Sequence, residues 1–330
     1  MYKKSQKSVH AYISVVFAGL FLCFNFSAFG AETLDLNTAL QNTYRACVNI
    51  DDDLHDLKVL AGVNTAVTAV GTGLGVGAVA TGLAKVGVDT DAEELEAELQ
   101  EEIDRLNQLA LEQTYIDFIP DFDVEFVNSV DDTVRTEQSE IEEKQAKLAE
   151  LTKKSKKLGN WRTGLLAGNT ATNIAGAIIS SKTIKNKGLQ EQIDECISAT
   201  KALNNAIIVA KMNGEDVSEA KNIYEACREY EYVDISPIKN RGKGAMISST
   251  IGAGLGGAGT ITSVMANSDK VRNDNTDEGK KKEKNLNTAS NVLAVGATAA
   301  SATATVFNAT QISAIKKVVK VAEECKGALN

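Results

Sequence analysis

Histidine, proline and large rings are nearly missing from this chain. Its 330 residues include two histidines, two prolines and one tryptophan, and aromatic residues make up 5%. His10 lies in a leader-like N-terminus, which leaves His55 as the imidazole of the remaining chain. A Ser/His/Asp nucleophile set or a multi-histidine metal centre therefore has little to draw on. Asp51 or Asp52 could share a metal with His55 on one helix turn, but the run Asp51-Asp52-Asp53-Leu54-His55-Asp56 reads more simply as a solvated acidic cluster. No P-loop is present. Gly252-Ala253-Gly254-Leu255-Gly256-Gly257 fits the dinucleotide string, yet it lies inside one Gly/Ala-rich helical run and not in a strand-turn-helix unit. No catalytic residue, metal ligand, cofactor or small-molecule substrate is expected, and the chain does not read as an enzyme.

The same scarcities point to fold class. A thick globular core normally contains large rings, whereas closely packed helices with small side chains do not need them. With Pro120 and Pro237 the only prolines, long periodic runs are free to be helical. The expected fold is all-α.

Lys3, Lys4 and Lys7 precede the apolar run Ala11 to Phe24, and Ala28-Phe29-Gly30 supplies small residues at a cleavage site. Residues 1–30 thus read as a secretory signal peptide, and the expected location is a bacterial periplasm or cell envelope, either free or membrane-associated. Its removal takes away three lysines and no acid, so the net charge moves from −9 to −12. An acidic chain of this kind is not expected to bind nucleic acid.

Four cysteines remain after that leader: Cys47, Cys196, Cys227 and Cys325. Asn42-Thr43-Tyr44-Arg45-Ala46-Cys47 recurs as Asn222-Ile223-Tyr224-Glu225-Ala226-Cys227, and Glu195-Cys196 is echoed by Glu324-Cys325. An internal repeat of this kind outranks single-residue motifs. Pro120 lies 73 residues after Cys47 and 76 before Cys196, and Thr276 lies 49 from both Cys227 and Cys325. A chain that goes out and returns over equal lengths brings its cysteines back together. The expected organisation is two tandem antiparallel α-hairpins, 31–212 and 213–330. Disulfides Cys47–Cys196 and Cys227–Cys325 would close them; the pairing Cys196–Cys227 with Cys47–Cys325 is the alternative.

Each hairpin contains two uncharged stretches: Val59 to Ala84 and Thr163 to Ser181, then Gly244 to Ser268 and Asn285 to Ile315. Gly71, Gly75, Gly82, Gly164, Gly168, Gly252 and Gly256 fall at helical spacing within them, a glycine-zipper pattern that lets helices approach closely. In the last stretch Asn287, Asn291, Thr298, Ser301, Thr305 and Asn308 follow one face while Val292, Val295 and Val306 follow the other.

Charged tips join the stretches. Residues 89–158 read as a coiled-coil hairpin, in which Thr90-Asp91-Ala92-Glu93 resembles a capping box restarting a helix. Acids from Glu93 to Asp104 would lie against lysines from Lys144 to Lys157. The second tip, 269–284, is shorter. Tyr115, Phe118, Asp121, Phe122, Asp123 and Phe126 form a candidate recognition tip, since function often sits on loops held by rigid scaffolds. A protein partner or self-association is the expected interaction.

Two functions fit. One is a non-enzymatic exported envelope protein whose disulfide-closed hairpins present a charged tip to a partner. The other is a membrane-inserting glycine-zipper bundle, a pore or transport component. The stretches are long enough to span a bilayer. Their asparagines would be costly in lipid unless they face other helices.

Overall fold

The computed structural model describes residues 35–116, 124–185, 187–274 and 276–330. Among these residues it is helical throughout, without strands: α1 Leu36–Cys47, α2 Ile50–Ile116, α3 Val124–Lys185, α4 Lys187–Met212, α5 Ser218–Cys227, α6 Ser236–Ala266, α7 Asp269–Arg272 and α8 Asp277–Leu329. A 3-10 turn, Arg228–Tyr232, follows α5.

Local chemistry sets the helix ends. The Asp35 carboxylate caps α1 by accepting from Thr38 N at 3.1 Å. A turn at Asn213-Gly214, a dipeptide that commonly marks turns, ends α4: Gly214 adopts φ 81°, a region that favours glycine, and Glu215 N donates to Ala210 O at 3.0 Å. Pro237 occupies the first turn of α6, where its missing N–H costs nothing. Thr276 begins α8, its hydroxyl accepting from Gly279 N at 3.1 Å.

The helix restart expected at Thr90 does not occur. α2 runs through without a break, and Thr90 Oγ1 donates back to Val86 O at 3.0 Å. Gly87, three residues earlier, stays within the helix, no proline is near, and a threonine hydroxyl inside a helix can bond the carbonyl four residues earlier.

The chain divides into two compact units. A cysteine unit comprises 35–54, 187–233 and 317–330 of the described residues, and a bundle unit comprises 55–186 and 234–316. Each unit draws helix segments from both of the stretches 31–212 and 213–330. The cysteine unit has an apolar core of ordinary kind: Ile50, Leu54, Ile193, Leu203, Ile223, Val318 and Val319 are buried.

Segments of α2, α3, α6 and α8 make the bundle unit. On α2 the buried positions 61, 64, 68, 71, 75, 78, 82 and 85 alternate steps of three and four, and 162, 166, 169, 173, 176 and 180 do the same on α3. That is the seam of a coiled-coil bundle. Its occupants are unusual, because asparagine, serine, threonine and glycine hold most of these positions.

Candidate functional site

The bundle interior is a polar network built by residues that the pattern places on the seam. Asn64 Nδ2 donates to Ser180 Oγ at 2.7 Å and to Asn308 Oδ1 at 2.9 Å, tying α2 to α3 and α8. Asn169 Nδ2 donates to Gly71 O at 2.6 Å and to Ser301 Oγ at 3.2 Å, and Asn173 Nδ2 reaches Ser301 Oγ at 2.7 Å. Gln311 Nε2 donates to Ile238 O at 3.0 Å, and Ser290 Oγ to Gly259 O at 3.0 Å, joining α8 to α6.

Arg162 is the largest fully buried side chain. Its guanidinium donates to Ser263 Oγ (3.2 Å), Asn291 Oδ1 (3.0 Å) and Asn287 Oδ1 (2.8 Å), so three neutral acceptors from α6 and α8 share one cation. A planar donor fork suits such a junction better than an ammonium group would.

The glycines make room for this network. A β-carbon on Gly71 would meet Thr172, on Gly75 Thr298 and Asn169, on Gly82 Asn291, on Gly252 Asn173, and on Gly256 Thr170. On Gly168 it would meet Leu74 at 3.0 Å. Gly164 differs from the expectation: nothing lies within 4 Å of its β-carbon position. It sits two residues past the seam position Arg162, on the outward side of α3. With Asn160, Trp161 and Leu165 it lines an open surface cavity of about 430 Å³.

The outer surface carries the aliphatic side chains. Val59 is 65% exposed, Val292 67%, Ile261 63% and Val76 56%, whereas Asn64, Asn169, Ser301 and Asn308 are each 0% exposed. Val63, Val70, Leu83, Ile174, Ile178, Ile247, Ile251, Val264, Val295 and Val306 are exposed too. On α8 the asparagine face is therefore inside and the valine face outside. Segments within Leu36–Leu109 and Asp277–Leu329 are long and apolar enough to cross a membrane, with mean hydropathies of 1.5 and 1.4.

Past Ala84 the bundle becomes charged. Lys85 is buried and pairs with Asp89 at 2.6 Å and Glu283 at 3.3 Å. Lys144 pairs with Glu102 and Glu98, as the acid-on-base expectation for the long hairpin requires. Other acids on α2 find α8 instead: Glu96 binds Lys280 at 2.9 Å and Glu93 binds Lys284 at 3.9 Å. Of the expected recognition tip, Phe118, Asp121, Phe122 and Asp123 lie outside the described residues, and Tyr115 and Phe126 are described only as helical backbone.

In the cysteine unit Cys47 is bonded to Cys196 and Cys227 to Cys325. This is the pairing that equal outward and return lengths favour. Lys326 donates to Asp51 at 3.1 Å and Asp52 at 2.9 Å, and these hydrogen bonds, Asp52 first, raise its pKa. Tyr230 is buried with no acceptor for its hydroxyl among the described residues. Burial, then the charge of Asp51, pushes its pKa up.

No family model matches the chain, and neither a curated protein nor a solved structure is similar to it.

Proposed function

We infer that the bundle unit is inserted in a membrane, and that the protein is a non-enzymatic, exported membrane scaffold carrying a charged hairpin. One observation carries this reading: in the uncharged stretches of the bundle unit, polar side chains fill much of the interior while most of the aliphatic ones face out. The cysteine unit buries mainly leucine, isoleucine and valine, while the bundle unit's uncharged stretches bury asparagine, serine and threonine beside Leu166 and Ile315 and expose many valines and isoleucines. Water favours the first arrangement. Lipid favours the second, since apolar tails solvate the outer face and polar groups must find partners within the bundle.

The detailed chemistry agrees. Helix pairs in lipid associate through small residues and interhelical hydrogen bonds, and Gly71, Gly75, Gly82, Gly252 and Gly256 meet Thr and Asn side chains of neighbouring helices. The transfer cost of Asn169, Asn173, Asn287, Asn291 and Asn308 is reduced because each lies on the interior side of its helix. Trp161, 59% exposed at the end of an uncharged stretch, suits an interfacial position. A soluble bundle would expose this aliphatic surface to water, where patches beyond a few hundred Å² are uncommon.

Chain parity supplies an orientation. The bundle unit is made by two passages of the chain, 55–185 and 234–316. If each of the four uncharged stretches crosses once, parity along the chain alone would put Cys47, Cys196, Cys227 and Cys325 on one side and the two charged tips on the other. Disulfides persist on the oxidising side, so in this reading the tips would be cytoplasmic. The seam is filled by side chains that bond across it, which supports a scaffold over an open pore.

Alkaline carbonate washing of membranes from expressing cells tests the reading. The protein is expected to stay in the pellet until detergent is added; release into the wash would overturn insertion.

A further inference from the structure

We propose that α3 and α6 together bind phospholipids of net negative charge, with Lys182 and Lys243 at the headgroup level and paired isoleucines beneath them. The proposal rests on membrane insertion of the bundle unit and names the lipid which that surface prefers.

The register of the two helices carries it. Gly252 neighbours Asn173, Gly176 neighbours Ser249 and Gly242 neighbours Thr183, so α3 and α6 run antiparallel with these residues level. At that register Lys182 lies level with Lys243, Ile178 with Ile247, and Ile174 with Ile251. All six side chains are exposed. On each helix they follow one another at four-residue steps, which keeps them on one face and spaces the rungs about 6 Å apart. Neighbouring helices thus repeat one motif, an ammonium above two branched aliphatic side chains. A phospholipid presents the complement, a phosphate with acyl chains directly below it. A nucleic acid or a soluble acidic protein would match the lysines and leave the isoleucines unused.

The lysines at this end of the bundle unit have few anions of their own. Lys58 on α2, Lys239 on α6 and Lys316 on α8 stand within about 8 Å further along the bundle axis, counting 1.5 Å per residue from the same register. Among the described residues none of these five lysines stands in an ion pair, whereas at the opposite end Lys85, Lys144, Lys156, Lys280 and Lys284 each meet a carboxylate. The acids of the bundle unit near the band are Asp56 and Asp234, and the Asp234 carboxylate accepts from Ser236 N at 2.9 Å. Beyond them the uncharged stretches separate the lysines from Asp89, Glu150, Asp269 and Glu283.

In the orientation proposed above, the positive-inside bias does not call for cations at this end. Lipid phosphates give them a use. Each base near an anionic surface adds attraction, and a lysine stem can lie along the apolar face while its ammonium reaches the headgroup. Zwitterionic headgroups bring their own cation and satisfy the band less well.

The test places the full chain in phosphatidylcholine liposomes with trace spin-labelled lipid and reads the motionally restricted fraction by electron paramagnetic resonance. Labelled phosphatidylglycerol should be held at least about fivefold more strongly than labelled phosphatidylcholine. Lys182→Gln/Lys243→Gln should lose most of that preference. Lys182→Arg/Lys243→Arg should keep it, as should Lys153→Gln/Lys154→Gln at the opposite end. Restricted lipid without a headgroup preference would overturn the proposal and leave insertion standing, whereas no restricted lipid of either kind would overturn both. An unchanged preference in Lys182→Gln/Lys243→Gln would also sink it. Glycerol phosphate, which has the headgroup charge without chains, should not compete at millimolar concentration; competition would make a soluble phosphate ester the occupant instead.

Discussion

Asn291 lies over Gly82 where a β-carbon would stand, and its amide oxygen accepts from Arg162 Nη1 at 3.0 Å. Backbone closeness and polar satisfaction are thus one feature at this level of the bundle. A methyl group on Gly82 displaces Asn291 and disturbs the Arg162 junction. Gly82→Ala is expected to lower stability by about 1–3 kcal/mol, the range for overpacking. Gly164→Ala, facing open space, should be neutral or gain up to about 1 kcal/mol from helix propensity. Thermal unfolding in detergent compares the two, and equal losses would remove the assigned difference.

Arg162 gathers acceptors that have few other donors. Arg162→Met should leave the Asn287 and Asn291 amide oxygens short of a donor and cost about 1–3 kcal/mol per stranded group, while Ser263 keeps its bond to Thr163. Arg162→Lys should recover little, because an ammonium on a flexible stem does not reproduce the fork. Chemical unfolding of both variants checks this, and full recovery by lysine would show that charge alone suffices.

The disulfides close loops of 149 and 98 residues. In the chain-entropy account each contributes about 5 kcal/mol, less any strain. Non-reducing peptide mapping should find Cys47 with Cys196 and Cys227 with Cys325. The double variant Cys227→Ser/Cys325→Ser should unfold at markedly lower denaturant. Recovery of Cys196 linked to Cys227 would contradict the pairing.

Tyr230 should make the cysteine unit sensitive to alkali. Burial raises its pKa in the folded protein, so above about pH 10 the unfolded chain loses this proton while the folded chain keeps it. Stability should then fall as pH climbs toward the folded pKa. Tyr230→Phe removes a hydroxyl that has no acceptor among the described residues, so it should cost little at pH 7 and reduce the alkaline loss. Unfolding midpoints at pH 7 and pH 10.5 would show it, and an unchanged pH slope in the variant would rule it out.

The helical class and the cysteine frame were legible because they depend on distances along the chain. Equal lengths about Pro120 and Thr276 anticipate the two disulfides, and Asn213-Gly214 marks a turn where φ is positive. The direction of burial was not legible. The two faces of α8 are visible in the sequence, but periodicity cannot say which faces a neighbour when the solvent is unknown. Gly164 and Gly168 illustrate the same limit: they share a spacing, yet Gly168 meets Leu74 and Gly164 meets nothing. Arg162 reads as the charged boundary of an uncharged stretch, although Asn287 and Asn291, four apart on α8, were a signal for an interior donor.

Spin labels on the outer and seam faces test the central claim most directly. Nitroxides at Val70, Val295 and Val306, in protein reconstituted into liposomes, should relax strongly with oxygen and weakly with a water-soluble nickel chelate, as lipid-facing sites do. A label at Ala78, on the seam, should be immobile and shielded from both. Strong nickel accessibility at Val70, Val295 and Val306 would place the aliphatic face in water and contradict the account.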